Sequence, residues 1–165
     1  VVAEGTGIVL NNEMDDFAVA PDVPNLYGLV GGEANAIAPL KTPLSSMSPT
    51  IVTKDGKLVM AGGSPGGSTI ITTSLQLVLN VVEFGMNAGE AVSEPRIHHQ
   101  WLPDGLMVEK GRMNPETLDE LRRRGHNIIE RDGWGNSNLI RVTRNGMLEG
   151  AADPRREGAA IGLEN

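Results

Sequence analysis

The stretch TPLSSMSPT, residues 42–50, sets Ser45 and Ser46 in tandem between two prolines, with a third serine just before the second proline. A hydroxyl pair in that setting can act as a nucleophile, as a cradle for an anion, or as a plain turn. Two other stretches bear on the choice. In NNEMDDF, residues 11–17, Glu13, Asp15 and Asp16 gather negative charge at the edge of a long segment without periodicity. No regular spacing of oxygen ligands accompanies them, so a metal loop is not indicated. A solvated acidic face is the default, and a hold on a cationic group is the functional use. In GGSPGGSTII, residues 62–71, an apolar run leads through glycines into a second apolar run. A phosphate loop would carry Lys before the hydroxyl, and Gly67 is followed by Ser68 and Thr69 instead. The dinucleotide spacing also fails. What remains is a structural turn, or consecutive Gly N–H groups aimed at a developing oxyanion. His98 and His99 are adjacent and would face opposite sides of a strand, which argues for packing over metal ligation. A triad of Ser45 or Ser46 with a histidine and Asp16 lacks the context of a nucleophile elbow. Trp134, in GWGNSN, reads as a loop residue with a packed ring.

These residues need elements to position them. The run GIVL, residues 7–10, reads as a short strand. From Asn12 to Thr42 the chain is rich in Pro, Gly and Asn, as a functional loop or lid would be. TIVT and KLVMA flank Asp55-Gly56, a hairpin signal. The apolar run after Gly67 predicts a helix from near Ser68, buried on all sides. Asn87 caps a short helix that Pro95 stops, and LMVE at 106–109 reads as a strand. Asn114, Pro115 and Gly125 mark the cap, first turn and stop of another helix. Strands at 127–131, 137–143 and 147–151 follow, the last two joined at Asn145-Gly146. Hairpins with interspersed helices predict an α+β fold with antiparallel sheet.

Composition narrows the partners. The 165 residues carry a net charge of −7, which opposes binding to nucleic acid. The basic run Arg122 to Arg124 suits the negative end of its helix dipole. There is no cysteine, which excludes disulfides, thiolate metal sites and a Cys nucleophile. No apolar run approaches the length of a membrane span. The length suits one domain with an aliphatic core.

Taken in order, NNEMDDF, PNLYGLVGGEAN, PLSSMSPTIV, GGSPGGSTIITT, PRIHHQWLPD and ADPRREGAA resemble the small subunit of γ-glutamyltranspeptidase, or glutathione hydrolase, from about Gly5 to Ala160. The resemblance implies part of an N-terminal-nucleophile hydrolase αββα sandwich, with residues 1–165 a single-domain portion of the small subunit. It implies a precursor that cleaves itself, whose new N-terminal Thr attacks with its own amine as base. The γ-glutamyl group then passes from glutathione or a similar donor to water, an amino acid or a peptide. The large subunit of the same precursor is the expected partner, no cofactor or metal is expected, and the location implied is periplasmic or secreted. Residue by residue, Asp16 resembles the carboxylate that binds the donor α-ammonium, with Glu13 assisting. Ser45 and Ser46 match the pair that binds the α-carboxylate, which makes them a cradle rather than a nucleophile. Gly66 and Gly67 match the oxyanion-hole glycines, and Tyr27 matches the aromatic of a lid loop.

The chain opens at Val1, beyond the family's Thr, and Thr6 lies inside the chain without a free amine. The expectation is an excised piece, or one whose preceding segment belongs to another chain, inactive alone and associating with itself or with a partner chain through an unpaired sheet edge. Two other readings stay open: an acylase of the same fold acting on a glutaryl-type or poly-γ-glutamate amide, and a non-catalytic binding domain.

Overall fold

The computed structural model describes residues 2–163, and the chain divides into two compact units, Val1–Ser46 and Met47–Asn165. In the first unit regular structure is confined to 3-10 turns at Glu13–Asp16 and Glu33–Asn35 and to isolated bridges. GIVL does not form the expected strand. Val9 makes a single bridge to Val2, because no further partner strand lies alongside it among the described residues. Asparagines supply much of the internal bonding instead. Asn25 Oδ1 accepts from the N–H groups of Tyr27 and Leu29, at 2.9 and 3.0 Å, and closes the Pro24–Val30 bridge into a small loop. Such Asx bonds replace backbone pairing where no sheet exists.

The second unit is built on two sheets. Strands β1 (Thr50–Lys54) and β2 (Lys57–Gly63) form the expected hairpin, and Asp55 and Gly56 both take positive φ, 51° and 74°. Those angles match the right-handed strand twist in a two-residue loop. Helices α1 (Ile70–Val82) and α2 (Ala88–Ser93) come next. The capping box of α2 is complete: Asn87 Oδ1 accepts from the Glu90 N–H, and Glu90 Oε2 accepts from the Asn87 N–H. Strands β3 (Ile97–His98) and β4 (Leu106–Glu109), helix α3 (Pro115–Arg123) and strands β5 (Ile128–Arg131), β6 (Asn138–Val142) and β7 (Leu148–Ala152) complete the unit.

One sheet runs β1-β2-β6-β7, antiparallel throughout, and the other β3-β4-β5. The antiparallel expectation fails in the second sheet, where β4 and β5 pair in parallel. The intervening helix α3 makes that possible, since a parallel return needs a crossover. The core lies where α1 and α2 cover the four-stranded sheet, around Met60, Leu77, Val81, Ala88, Val92 and Leu139. Helix α1 departs from expectation too. Thr73, Ser74, Leu77 and Val81 are buried, but Ile71 and Leu75 are 64% and 54% exposed. The sheet and α2 cover one side of the helix, and among the described residues the side that carries Ile71 and Leu75 is left exposed.

Candidate active site and family

In the first unit the 3-10 turn Glu13–Asp16 presents its carboxylates before Phe17 and Ala18, which are both buried. Glu13 is exposed and Asp16 half-buried. Ser46, thirty residues further on, donates its hydroxyl to Asp16 Oδ2 at 3.2 Å. Asn35 ties the two segments together. Its Nδ2 donates to the Asp16 carbonyl at 2.6 Å, its Oδ1 accepts from the Leu44 N–H at 3.2 Å, and its carbonyl accepts from the Ala18 N–H. The structure therefore brings Asp16 and Ser46 together, with Glu13 on the same turn as Asp16 and Ser45 exposed beside Ser46. Tyr27 sits in the Asn25-closed loop, partly exposed. Asn35 carries no pattern that sequence reasoning could have used. Its role is visible only once residues 16 and 44 are neighbours.

Gly66 and Gly67 belong to the second unit. They follow β2 and open the 3-10 turn Gly67–Thr69 that leads into α1, so the helix begins about as expected. Their φ angles are +153° and +56°, and a Cβ on Gly66 would stand 2.5 Å from Thr69 Oγ1. Only glycine accepts both demands. Among the described residues neither glycine N–H has a protein acceptor. Gly66 lines an open cleft of about 390 Å³ with Pro65, Gly135, Asn136 and Arg156.

Behind that cleft lies a cluster that sequence reasoning missed. Arg96, 3% exposed, donates to Asp153 Oδ2 at 2.5 Å, to Ser137 Oγ at 2.8 Å and to the carbonyls of Val92 and Trp134. Asp153 also accepts from the N–H groups of Ser137 and Arg155, at 2.7 and 2.9 Å. Arg155 reaches Glu109 with two nitrogens, and Glu109 Oε2 accepts from the Arg96 N–H at 3.0 Å. Burial pushes the Asp153 and Glu109 carboxyls up. For Asp153 the Ser137 and Arg155 N–H groups and the Arg96 guanidinium outweigh burial, and for Glu109 the Arg155 guanidinium and the Arg96 N–H do so. Both carboxyls end below their ordinary values. Two guanidiniums and two carboxylates thus neutralise one another, with Arg96, Asp153 and Glu109 buried and the Arg155 side chain nearly so. The arginines and the aspartate lie in PRIHHQWLPD and ADPRREGAA, stretches whose similarity to the family was the one signal available.

His98 behaves as packing predicted. It is buried between Thr72 Oγ1, 2.7 Å from Nδ1, and Gln100 Oε1, 2.8 Å from Nε2, while His99 points outward. The Trp134 ring is buried. Among the described residues no group of three or more His, Asp or Glu could hold a metal ion, and no helix is long and apolar enough to cross a membrane.

The family model for γ-glutamyltranspeptidase matches residues 1–163. The chain belongs to the γ-glutamyltranspeptidase family. The glutathione hydrolase proenzyme of Escherichia coli (strain K12) is 56% identical over 155 residues, which is 94% of this chain and 27% of that protein. The chain thus spans little more than a quarter of that relative. The crystal structure of the T380A mutant of Helicobacter pylori γ-glutamyltranspeptidase superposes with a TM-score of 0.88 at 51% identity, over 94% of this chain and 86% of that one. An acivicin-inhibited γ-glutamyltranspeptidase gives a TM-score of 0.88 at 52% identity, over 96% and 86%. The fold is accordingly α+β, a portion of the N-terminal-nucleophile hydrolase sandwich of the γ-glutamyltranspeptidases, to which this chain contributes helices laid on an antiparallel sheet.

Proposed function

We propose that the protein carrying this chain takes γ-glutamyl groups from glutathione and similar donors and passes them to water, an amino acid or a peptide. The acyl-enzyme forms on an N-terminal Thr supplied from outside these 165 residues. Asp16, with Glu13, holds the donor α-ammonium, and Ser45 and Ser46 hold its α-carboxylate. Gly66 and Gly67 N–H groups face the oxyanion of the tetrahedral intermediate, and Tyr27 belongs to a lid over the glutamyl pocket. The partner is the large subunit of the same precursor, a reading supported by the description of the E. coli relative as a proenzyme.

The observation that carries this reading is the contact between Asp16 and Ser46 across thirty residues of chain. An α-amino acid head carries an ammonium and a carboxylate on one carbon. Binding it takes a carboxylate and hydroxyl donors within a few ångströms of each other, and this pair supplies both. Charge-assisted bonds of that kind are worth roughly 1.5–3 kcal/mol, or about 10–150-fold in kcat/KM.

The test compares the full-length protein and its Asp16→Asn variant on a γ-glutamyl anilide and on the glutaryl anilide, which lacks the ammonium. The wild type should prefer the γ-glutamyl substrate by at least tenfold, and the variant should lose most of that preference. Equal turnover of the two anilides by the wild type would favour a glutaryl-type acylase and end the γ-glutamyl reading.

A further inference from the structure

We infer that Ser64 and Thr69 are positioning residues that aim the backbone N–H groups of Gly66 and Gly67. The inference rests on the proposed function only for what those donors face; the geometry stands by itself. A trans peptide unit is planar, so its C=O and N–H point in opposite directions and holding one fixes the other. The N–H of Gly66 shares its plane with the Pro65 carbonyl, and that carbonyl accepts the Ser64 hydroxyl at 2.8 Å. The N–H of Gly67 shares its plane with the Gly66 carbonyl, which accepts both from the Thr69 N–H at 3.1 Å and from Thr69 Oγ1 at 2.9 Å. Each glycine donor is therefore held from behind by a hydroxyl on the carbonyl across its own peptide bond.

The Ser64 hydroxyl is in turn anchored. It accepts the Asn136 N–H at 3.0 Å. Residues 134 and 137, on either side of that contact, are tied to the buried cluster. Arg96 donates to the Trp134 carbonyl and to Ser137 Oγ, and Asp153 accepts the Ser137 N–H. Gly135, at φ +77°, lets the two loops close, because a Cβ there would lie 2.7 Å from Ser64 Oγ and 2.9 Å from Arg96 Nη1. The buried charged cluster thus reaches the glycine loop through the Ser64 hydroxyl. Donors that must meet charge developing in a transition state gain from such fixed aim, and losing one costs about 10²–10³ in kcat. Loosening one without deleting it should cost less, about 10–50-fold.

The experiment uses the full-length protein with Ser64→Ala, Ser64→Thr and Thr69→Ala, read in two ways. Steady-state kinetics on a γ-glutamyl anilide should show kcat down about 10–50-fold in S64A with KM within about twofold. S64T, which keeps the hydroxyl, should recover most of the loss, and T69A should show the same pattern more weakly, because the Thr69 N–H still holds the Gly66 carbonyl. A general loss of structure would not separate kcat from KM or be rescued by S64T. The second readout needs no substrate. Hydrogen exchange at the Thr69 and Asn136 amides should quicken by about tenfold or more in S64A, with distant amides of β6 and α2 unchanged. If the wild type fails on the anilide, the functional reading falls, and exchange alone decides the positioning. Unaltered exchange at Thr69 and Asn136, or a kcat within twofold of wild type in S64A, would overturn it.

Discussion

Replacing Asp153 by Asn removes one unit of charge from a site that is 1% exposed and changes its shape hardly at all. The buried cluster is balanced, with Arg96 and Arg155 against Asp153 and Glu109. In D153N one guanidinium charge stays in the interior without compensation, and the new amide NH₂ faces the donors that Asp153 now accepts from: the Arg96 guanidinium and the N–H groups of Ser137 and Arg155. Breaking one partner of a buried pair costs about 3–5 kcal/mol. For a chain of this size that corresponds to a fall in melting temperature of about 6–20 °C. Differential scanning calorimetry at neutral pH measures it directly. A double-mutant cycle with Arg96→Met separates pairing from packing: the two losses should fall short of additivity by about 1–3 kcal/mol, because the double variant leaves no lone charge. A D153N protein melting within about 3 °C of wild type, or strictly additive losses, would refute the view that this cluster holds charges in mutual compensation.

Acid should act through the same groups. Asp153 and Glu109 have folded-state pKa values depressed below their unfolded ones, so they contribute stability that is present above about pH 4 and lost as pH falls through their lowered folded values. Thermal melting followed from pH 7 to pH 2 should show that loss, and Glu109→Gln should flatten it. Gly135→Ala must adopt φ +77° and bring a Cβ to 2.7 Å from Ser64 Oγ, so the left-handed backbone alone should cost about 1–2 kcal/mol, read as a lowered denaturation midpoint. Asn87→Ala deletes half of the capping box of α2 and should cost about 1 kcal/mol, checked by urea titration, with Asn87→Asp close to neutral.

Some of this molecule is written in short stretches. The Asp55-Gly56 hairpin, the Asn87 and Asn114 caps, the Asn145-Gly146 turn and the stop at Gly125 are decided by residues within four positions of one another, and all are present as expected. The α+β class follows from their order. The run GIVL satisfied the local rule for a strand and still formed none, since a strand also needs a neighbour to pair with. The parallel pairing of β4 with β5 and the one-sided burial of α1 were likewise out of reach, because apolar periodicity states which faces avoid water and not what covers them.

The site divides along the same line. Residue types pointed to Asp16, the serine pair and the glycines, and family likeness suggested what they would bind, but nothing local set Ser46 Oγ 3.2 Å from Asp16 Oδ2. The buried cluster was least legible of all. Arg96 meets Asp153 across 57 residues and Arg155 meets Glu109 across 46. In sequence each reads as a surface charge, since an isolated Arg or Asp belongs in water. What puts them inside is the tertiary fold: it carries opposite charges to one place at the same moment, and only that coincidence offsets the cost of desolvating each of them.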